Sequence, residues 1–359
     1  MNFEHYLSDQ AVAHPATQPQ DIIKQCYQAA FGAEHLLADL DRARNYLAHE
    51  YASVTADPAI PLYETISSQV CRVNLAAWKH HALPLEWLFR MFADSASILV
   101  DRDEATRQFL SYLETADHLI CHGRLPVSFS SQEWSQTLLS YRKHDICAVH
   151  HSEAYRQAEH PAYRILRAEY TRLLPILEAV AANRSLPCIL AIDGRAASGK
   201  STMADQLARI LDADVIRTDD FFLPPALRTP ERLQTPGGNV HYERFVEEVL
   251  PHLHEQVPFS YRQFDCSLMD YQGARQVGDH PIRIVEGSYS HHPALKDYAH
   301  IRVFSQVDPV RQMERILHRN GPQLAAMFRD RWIPMEEQYF QTWSIEANSH
   351  ITIDSSPLF

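Results

Sequence analysis

The stretch AIDGRAASGKST, residues 191–202, decides the fold of the second half of the chain. The apolar letters CIL precede it, and a helical pattern, KSTMADQLARILDA, begins at Lys200. An apolar strand, a glycine-containing turn and a helix in this order are typical of a loop that binds phosphate. Glycine permits the backbone angles and the close approach that such a loop needs, and the helix directs its positive end at the same point.

Gly194, Gly199, Lys200 and Ser201 satisfy the pattern G-x-x-x-x-G-K-[ST]. Backbone N–H groups of the loop are expected to surround the phosphates of ATP, with Lys200 reaching the β and γ phosphates and Ser201 offering its hydroxyl to Mg²⁺. We therefore predict an ATP site formed by nine consecutive residues: Gly194, Arg195, Ala196, Ala197, Ser198, Gly199, Lys200, Ser201 and Thr202.

The pattern around this loop predicts a parallel sheet. Short apolar runs at 188–194, 214–222, 282–289, 300–308 and 350–354 read as strands, and helical patterns such as YERFVEEVLPHL separate several of them. Strands that alternate with helices favour the α/β class, here a P-loop NTPase fold with helices on both faces of the sheet. The ligand of such a sheet lies at the carboxyl ends of its strands.

The first half of the chain has a different pattern. Residues 1–182 predict a mostly helical domain of unknown role, and residues 183–359 the P-loop domain. The run PAYRILRAEYTRLLPILEAVAA, residues 161–182, predicts a long amphipathic helix with a kink or break at Pro175. Polar residues within apolar runs of this half are either lining residues of a site or, more commonly, satisfied core and surface groups: His35, Arg72, Asn74, His150, His151 and Ser152.

Composition limits the function classes. The 359 residues are 45% hydrophobic and 22% charged, with a formal net charge of −12, which argues against a broad nucleic-acid or anionic-membrane surface. The six cysteines are widely spaced, without a C-x-x-C pair, and fit reduced thiols in the cytoplasm. The first residues, MNFEHYLSDQ, have no apolar signal core, and no run approaches 18 apolar residues. The oligomeric state stays open.

Three acidic residues narrow the chemistry. Asp219 and Asp220 lie at the carboxyl end of the second predicted strand, on the side where the phosphates are expected, and a carboxylate there can accept a proton from a substrate hydroxyl. Glu286 follows the apolar run IRIV and precedes Gly287. This is the position of an acid that holds Mg²⁺ or its waters, so we expect Glu286 to act with Ser201 as a metal ligand.

At this point the second half resembles the uridine kinase and phosphoribulokinase group of P-loop kinases. The resemblance covers roughly half of the chain, and it rests on ordered pieces: GRAASGKST, RTDDFFLP, YRQFDC, IVEGSYS, and RILHRN before WIPMEEQYF. The order and spacing of these pieces are more specific than the phosphate-binding loop alone.

The resemblance implies roles for individual residues. Asp219 matches the acid that abstracts the substrate proton, and Asp265 of YRQFDC matches an acid that contacts the nucleoside ribose; Asp220 and Tyr261 are assigned to the same acceptor side. Arg315 and Arg319 match the arginines of the lid. They are four residues apart, hence on one helix face, where two guanidiniums can hold a transferring phosphoryl group.

One departure concerns the acceptor. The family usually continues after the ribose acid with a His and an Arg that help to read the base, whereas this chain continues CSLMDYQGAR. We expect an ATP- and Mg²⁺-dependent kinase of a small metabolite, a nucleoside such as uridine in the first place. The alternatives are a kinase of another small alcohol, such as a sugar phosphate or a pantothenate-like compound, and a nucleotide-dependent regulatory protein, which would need no base for an acceptor hydroxyl.

Overall fold

The computed structural model describes residues 3–33, 39–97 and 101–356. The chain divides into two compact units, residues 1–171 and 172–358. The boundary expected from the sequence is at 182–183. By their contacts, residues 172–182 belong to the second unit. His35, singled out above, lies outside the described residues.

The N-terminal unit combines helices with a small sheet. Three strands, β1 (Tyr63–Thr65), β2 (Val70–Asn74) and β3 (Tyr163–Arg167), form an antiparallel sheet in the order β1-β2-β3. Its described helices are α1 (Phe3–Ala13), α2 (Pro19–Phe31), α3 (Leu40–Ser53), α4 (Leu75–His80), α5 (Leu85–Ser97), α6 (Arg102–Cys121), α7 (Ser131–Tyr141) and α8 (Glu153–Glu159). The predicted predominance of helix is confirmed.

The long helix predicted over residues 161–182, with a kink or break at Pro175, is wrong for the part before Leu174. The segment forms β3, then a 3₁₀ turn (Ala168–Leu173), and only its last part is helical, as α9 (Leu174–Ala182). Strand β3 pairs with β2, for example Ile165 with Arg72, and both strands are largely buried. The hydrogen bonds of this non-local pairing override a helical spacing that local sequence alone favoured.

The C-terminal unit is built on a five-stranded sheet. Its strands are β4 (Cys188–Gly194), β5 (Asp214–Arg217), β8 (Ile282–Glu286), β9 (Ile301–Gln306) and β10 (Ile351–Asp354), all parallel, in the order β10-β9-β4-β8-β5. The described helices of this unit besides α9 are α10 (Lys200–Leu211), α11 (Pro230–Gln234), α12 (Tyr242–Glu248), α13 (Leu250–Leu253), α14 (Pro309–Met327) and α15 (Ile333–Thr342). The predicted P-loop NTPase fold is confirmed.

This strand order positions the site. The first strand of this sheet in chain order, β4, lies at the centre. The chain places β5 and β8 on one side of β4 and then β9 and β10 on the other, and this change of side opens a crevice at the carboxyl end of β4. A further hairpin, β6 (Phe259–Asp265) with β7 (Asp270–Val277), stands apart from this sheet and was not predicted.

Helix α14 is broken near its end. Gly321 has a φ of +75°, and Pro322 follows it, so the regular helix stops there. A π-helical turn, Phe328–Trp332, then leads into α15. Over the described ranges, no helix is both long and apolar enough to cross a bilayer.

Candidate active site

The loop after β4 has its two glycines where the backbone requires them. Gly194 has a φ of +139°, and a Cβ there would lie 2.0 Å from the carbonyl oxygen of Ser305 on the neighbouring strand β9. Gly199 is left-handed, with a φ of +82°, immediately before α10. Any side chain at Gly194 would therefore push the loop away from the sheet, and one at Gly199 would strain the entry into the helix.

The loop is held closed around a buried lysine. The Lys200 ammonium donates hydrogen bonds to the carbonyl oxygens of Gly194 (2.8 Å) and Arg195 (2.9 Å). Ser305 Oγ donates to the carbonyl of Ser198 at 3.1 Å. The ammonium thus lies at the start of α10, where the positive end of the helix and a cation act on the same point.

Ser201 and Glu286 meet at the edge of this loop. Ser201 Oγ donates to Glu286 Oε2 at 3.2 Å, and Arg217 Nη1 donates to Glu286 Oε1 at 2.5 Å. Burial raises the pKa of Glu286, and the charge of Asp219 raises it further. A hydroxyl and a carboxylate are oxygen donors of the kind that Mg²⁺ takes together with phosphate oxygens. Within the described ranges no group of three or more His, Cys, Asp or Glu forms a metal cluster, and a Mg²⁺ shared with phosphates does not need one.

A cavity of about 570 Å³ opens beside the loop. Asp219 is open to this cavity, but the surrounding walls restrict its hydration, which raises the pKa of its carboxyl; Lys200 counteracts this rise and Asp220 adds to it. Among the predicted residues, the cavity is lined by Ala196, Ala197, Gly199, Lys200, Ser201, Thr202, Asp219, Glu286 and Arg319. The loop, Asp219 and Arg319 therefore face one space.

Asp220 and Tyr261, which were assigned to the acceptor side from the sequence, are hydrogen-bonded to each other. Asp220 is buried, and its Oδ2 accepts hydrogen bonds from the Tyr261 hydroxyl (3.0 Å) and from Arg275 Nε (2.6 Å). The Tyr261 hydroxyl also accepts from the backbone N–H of Arg217 at 3.3 Å. Neither Asp220 nor Tyr261 lines the cavity, and together they join the β6–β7 hairpin to the end of β5.

Asp265, matched above to a ribose acid, caps the turn between β6 and β7. Its Oδ1 accepts from the N–H and the hydroxyl of Ser267, at 2.7 and 2.5 Å, and from the N–H of Leu268 at 3.3 Å. These hydrogen bonds lower the pKa of Asp265. It is not among the residues that line the cavity, although Cys266 and Met269 of the same turn are.

Arg315 and Arg319 of α14 have different surroundings. Arg315 donates to the carbonyl of Ala197 in the loop (3.3 Å) and to the carbonyl of Ser355 (2.5 Å). Arg319 lines the cavity, and its charge acts on Asp219. The structure thus brings Arg319 to the cavity and leaves Arg315 as a support of the loop.

Sequence reasoning missed several residues of this site. Glu336 of α15 is buried, and it accepts from the Ala196 N–H and the Ser288 hydroxyl, each at 2.9 Å. Gln312 Nε2 donates to the carbonyl of Ala196 at 3.0 Å. Further lining residues without a predicted role include Arg228, Asn239, Cys266, Tyr289 and Arg331. The only sequence signal for Glu336 was its place in WIPMEEQYF, and for Arg228 its place in the segment after Asp219.

Comparison with known proteins finds distant similarities to solved structures. No protein-family model and no curated protein matches the chain. A possible uridine kinase from Bacillus stearothermophilus is 18% identical, with a TM-score of 0.42 over 52% of this chain and 99% of that one. A proposed fructose transport system kinase from Silicibacter sp. is 21% identical, with a TM-score of 0.41 over 51% of this chain and 97% of that one. A Thermus thermophilus protein is 16% identical, with a TM-score of 0.29 over 47% of this chain and 89% of that one. The assignment of the C-terminal unit to the P-loop NTPase fold rests on its strand order and on its loop.

Proposed function

We propose that the C-terminal unit catalyses transfer of the γ-phosphoryl group of ATP to a hydroxyl of a small metabolite. The observation that carries the proposal is one cavity shared by Lys200 and Ser201 of the loop and by the carboxylate of Asp219. A protein that only switches on nucleotide binding has no need of an acid facing the space beside the phosphates. A kinase needs this acid to receive the proton of the attacking hydroxyl.

Each group in the cavity has a task in this reaction. Lys200 and the loop N–H groups would bind the phosphates, and Ser201 and Glu286 would hold Mg²⁺. When bound, Mg²⁺ neutralises charge on the phosphate oxygens. Asp219 takes the proton of the acceptor hydroxyl, and its raised pKa makes it a stronger base than an ordinary carboxylate. Arg319 faces the same cavity and can stabilise charge on the transferring group.

A nucleoside, with uridine first, is the acceptor that the sequence resemblance favours. Asp265, the residue expected to hold the ribose, is engaged in the turn and lies outside the cavity lining, so it lends this narrower proposal no support. A sugar phosphate or a pantothenate-like alcohol fits the same base and the same phosphate loop. The proposal is therefore phosphoryl transfer to a small hydroxyl compound, of which uridine is the first to test.

The test is ADP release from ATP and Mg²⁺ with a panel of nucleosides, sugar phosphates and other small alcohols. We expect release to depend on one acceptor class and to disappear in Lys200→Ala, because the cation at the β and γ phosphates is lost. An unchanged thermal unfolding curve controls for the fold. ATP hydrolysis that proceeds equally with and without every acceptor would favour a regulatory protein, and normal turnover in Lys200→Ala would contradict the phosphate-loop assignment.

A further inference from the structure

Arg228 lines the cavity and belongs to the segment that follows Asp219, the proposed base, in the chain. Its Nε donates to the carbonyl of Leu223 at 2.7 Å, and the N–H of Leu223 donates to the carbonyl of Asn239 at 3.0 Å. These bonds orient the guanidinium from one side. Arg228 and Asn239 both line the cavity that contains Asp219.

The outer edge of this guanidinium has no ionic partner among the residues that the structure describes. Two other arginines near the base are paired, Arg217 with Glu286 and Arg275 with Asp220. Arg228 is partly buried and is fixed by the hydrogen bond of its Nε. Its two terminal nitrogens have no hydrogen-bond partner among the described residues. A fixed planar fork of this kind matches the two oxygens of a carboxylate or a phosphate.

A second unpaired group lies in the same wall. The side-chain oxygen of Asn239 is buried without a hydrogen-bond partner of its own, although the Tyr289 hydroxyl lies beside the Asn239 amide. A buried acceptor without a donor is costly, and a ligand that brings an O–H or N–H removes that cost. Phe222, Leu233 and Met269 give the same part of the cavity an apolar surface.

Arg228 comes from a different segment of the chain than the groups assigned to the phosphates of ATP. Lys200, the loop N–H groups and Arg319 serve the phosphates in the proposed reaction, and Arg228 belongs instead to the segment between Asp219 and Asn239. Its charge also acts on Cys266, in the hairpin turn that completes this wall. The cation is thus part of the wall that the base and the hairpin turn provide, where the acceptor is expected.

We propose that the acceptor carries an anionic group, a carboxylate or a phosphate, which Arg228 binds. The acceptor also carries an O–H or N–H group that donates a hydrogen bond to the side-chain oxygen of Asn239. This inference rests on the proposed kinase function and names its substrate class. In the reaction the acceptor oxygen forms a bond to the γ-phosphorus, the bond from that phosphorus to ADP breaks, and the hydroxyl proton passes to Asp219. Arg228 acts as a specificity-determining residue that holds the end of the acceptor which does not react.

The first experiment measures the anion site without ATP or turnover, with Cys266 as the reporter. Cys266 is exposed in the cavity wall beside Arg228. Its labelling rate is measured with an anionic disulfide, dithionitrobenzoate, and with an uncharged one, dipyridyl disulfide, and the modified peptide is identified by mass spectrometry. We expect Arg228→Gln to lower the ratio of anionic to uncharged labelling by about 10-fold, because a local cation concentrates small anions.

Using the ratio removes a second effect of the substitution. Although Cys266 is exposed, the surrounding cavity walls restrict hydration of its thiol and, with the Asp219 charge, raise its pKa to about 11. Arg228 opposes this rise, so the loss of Arg228 slows both reagents together. Arg311→Gln is the matched control, since Arg311 is exposed, pairs with Glu314 and does not line the cavity. Arg228→Lys keeps the charge and should keep most of the ratio. A ratio that Arg228→Gln leaves unchanged would overturn the anion site.

The second experiment compares paired acceptors: a sugar phosphate with its sugar, a hydroxy acid with its amide, and a nucleoside monophosphate with its nucleoside. We expect the anionic member of the productive pair to have a kcat/KM about 10²-fold higher, and Arg228→Gln to remove that preference while the KM for ATP stays constant. The pair that reacts tells a phosphate from a carboxylate. Equal rates for charged and uncharged members would overturn the inference and leave the kinase intact. A labelling ratio that depends on Arg228, with no ADP release from any pair, would leave the anion site and contradict the kinase.

Discussion

At the scale of single residues, Asp219 and Asp220 are adjacent in the chain but have different surroundings. Asp219 opens into the cavity and has a raised pKa, whereas Asp220 is buried between the Tyr261 hydroxyl and the Arg275 guanidinium. The sequence placed both acids at the end of β5, and the resemblance made Asp219 the base and put Asp220 on the acceptor side, whereas in the structure only Asp219 lines the cavity. That difference depends on partners more than 40 positions away in the chain.

We predict opposite phenotypes for the two acids. Asp219→Asn is nearly isosteric but cannot take a proton, so kcat should fall by about 10²-fold or more while the KM for ATP and the unfolding temperature change little. Asp220→Asn leaves the Arg275 charge without its carboxylate, so the free energy of unfolding should fall by about 1–3 kcal/mol. Steady-state kinetics and urea denaturation of both variants check this. Loss of turnover in Asp220→Asn at unchanged stability would make Asp220 the base.

The sequence alone did not decide whether His151, in the N-terminal unit, lines a site or is a satisfied core residue. It is buried, with Nδ1 2.8 Å from Asp21 Oδ1 and Nε2 2.6 Å from the Tyr163 hydroxyl, so it connects α2 and β3. The hydrogen-bond network assigns a neutral ring that donates to Asp21 and accepts from Tyr163. Burial lowers the pKa of His151, although Asp21 opposes the shift.

A pH-dependent stability follows from this lowered pKa. The folded unit favours the neutral ring, so the contribution of His151 is fully present above the ordinary histidine pKa of about 6.5 and is lost as the pH falls through and below it. The free energy of unfolding should therefore decline between about pH 8 and about pH 5.5. In His151→Gln this decline should be shallower, from a lower starting stability. Urea denaturation across this range decides, and parallel curves for the two proteins would exclude His151 as the titrating group.

At the scale of secondary-structure elements, the parallel strands were predictable because each is a short apolar run bounded by polar turns. The hairpin of β6 and β7 was not, since β7 is largely exposed and lacks an apolar run. Strand β3 was missed because its apolar residues also fit a helical spacing, and only pairing with the distant β2 decides between the two. The phosphate loop was predictable in detail because its motif is local and every glycine in it meets a backbone requirement.

Helix α14 separates two arginines that sequence spacing had grouped. Arg315 binds carbonyl groups of the loop and of the segment after β10, and Arg319, one turn later, lines the cavity. Arg315→Ala should therefore lower the unfolding temperature and raise the KM for ATP. Arg319→Ala should leave stability unchanged and lower kcat by about 10²-fold, the effect of removing one group that stabilises charge in a transition state. Calorimetry and kinetics test both. Equal losses of kcat at unchanged stability would restore the pair of arginines as one phosphoryl clamp.

At the scale of the whole molecule, the chain contains a unit with an assigned fold and a unit whose role stays open. The C-terminal unit contains every group of the proposed reaction, from the loop to α15. The N-terminal unit has its own sheet and its own buried polar contacts, such as Arg72 Nη1 with Gln10 Oε1 at 2.8 Å. Neither composition nor spacing indicated that sheet, because its strands are short and far apart in the sequence.

The division of the chain makes a prediction about where it can be cut. Helix α9 belongs to the C-terminal unit and packs against β9, and it buries four apolar side chains: Leu174, Ile176, Leu177 and Val180. A fully buried apolar side chain contributes about 1.5–3 kcal/mol, and a whole domain is stable by only about 5–15 kcal/mol. A fragment of residues 172–359 should therefore unfold cooperatively and retain acceptor-dependent ADP release, whereas residues 183–359, which lack α9, should aggregate or unfold at a much lower temperature.

Expression of both fragments, with calorimetry and the ADP assay, distinguishes the two boundaries. If 183–359 is as stable and as active as the longer fragment, α9 is dispensable to the sheet and the boundary lies where the sequence placed it. If 172–359 folds but has lost turnover, the first unit contributes to catalysis as well.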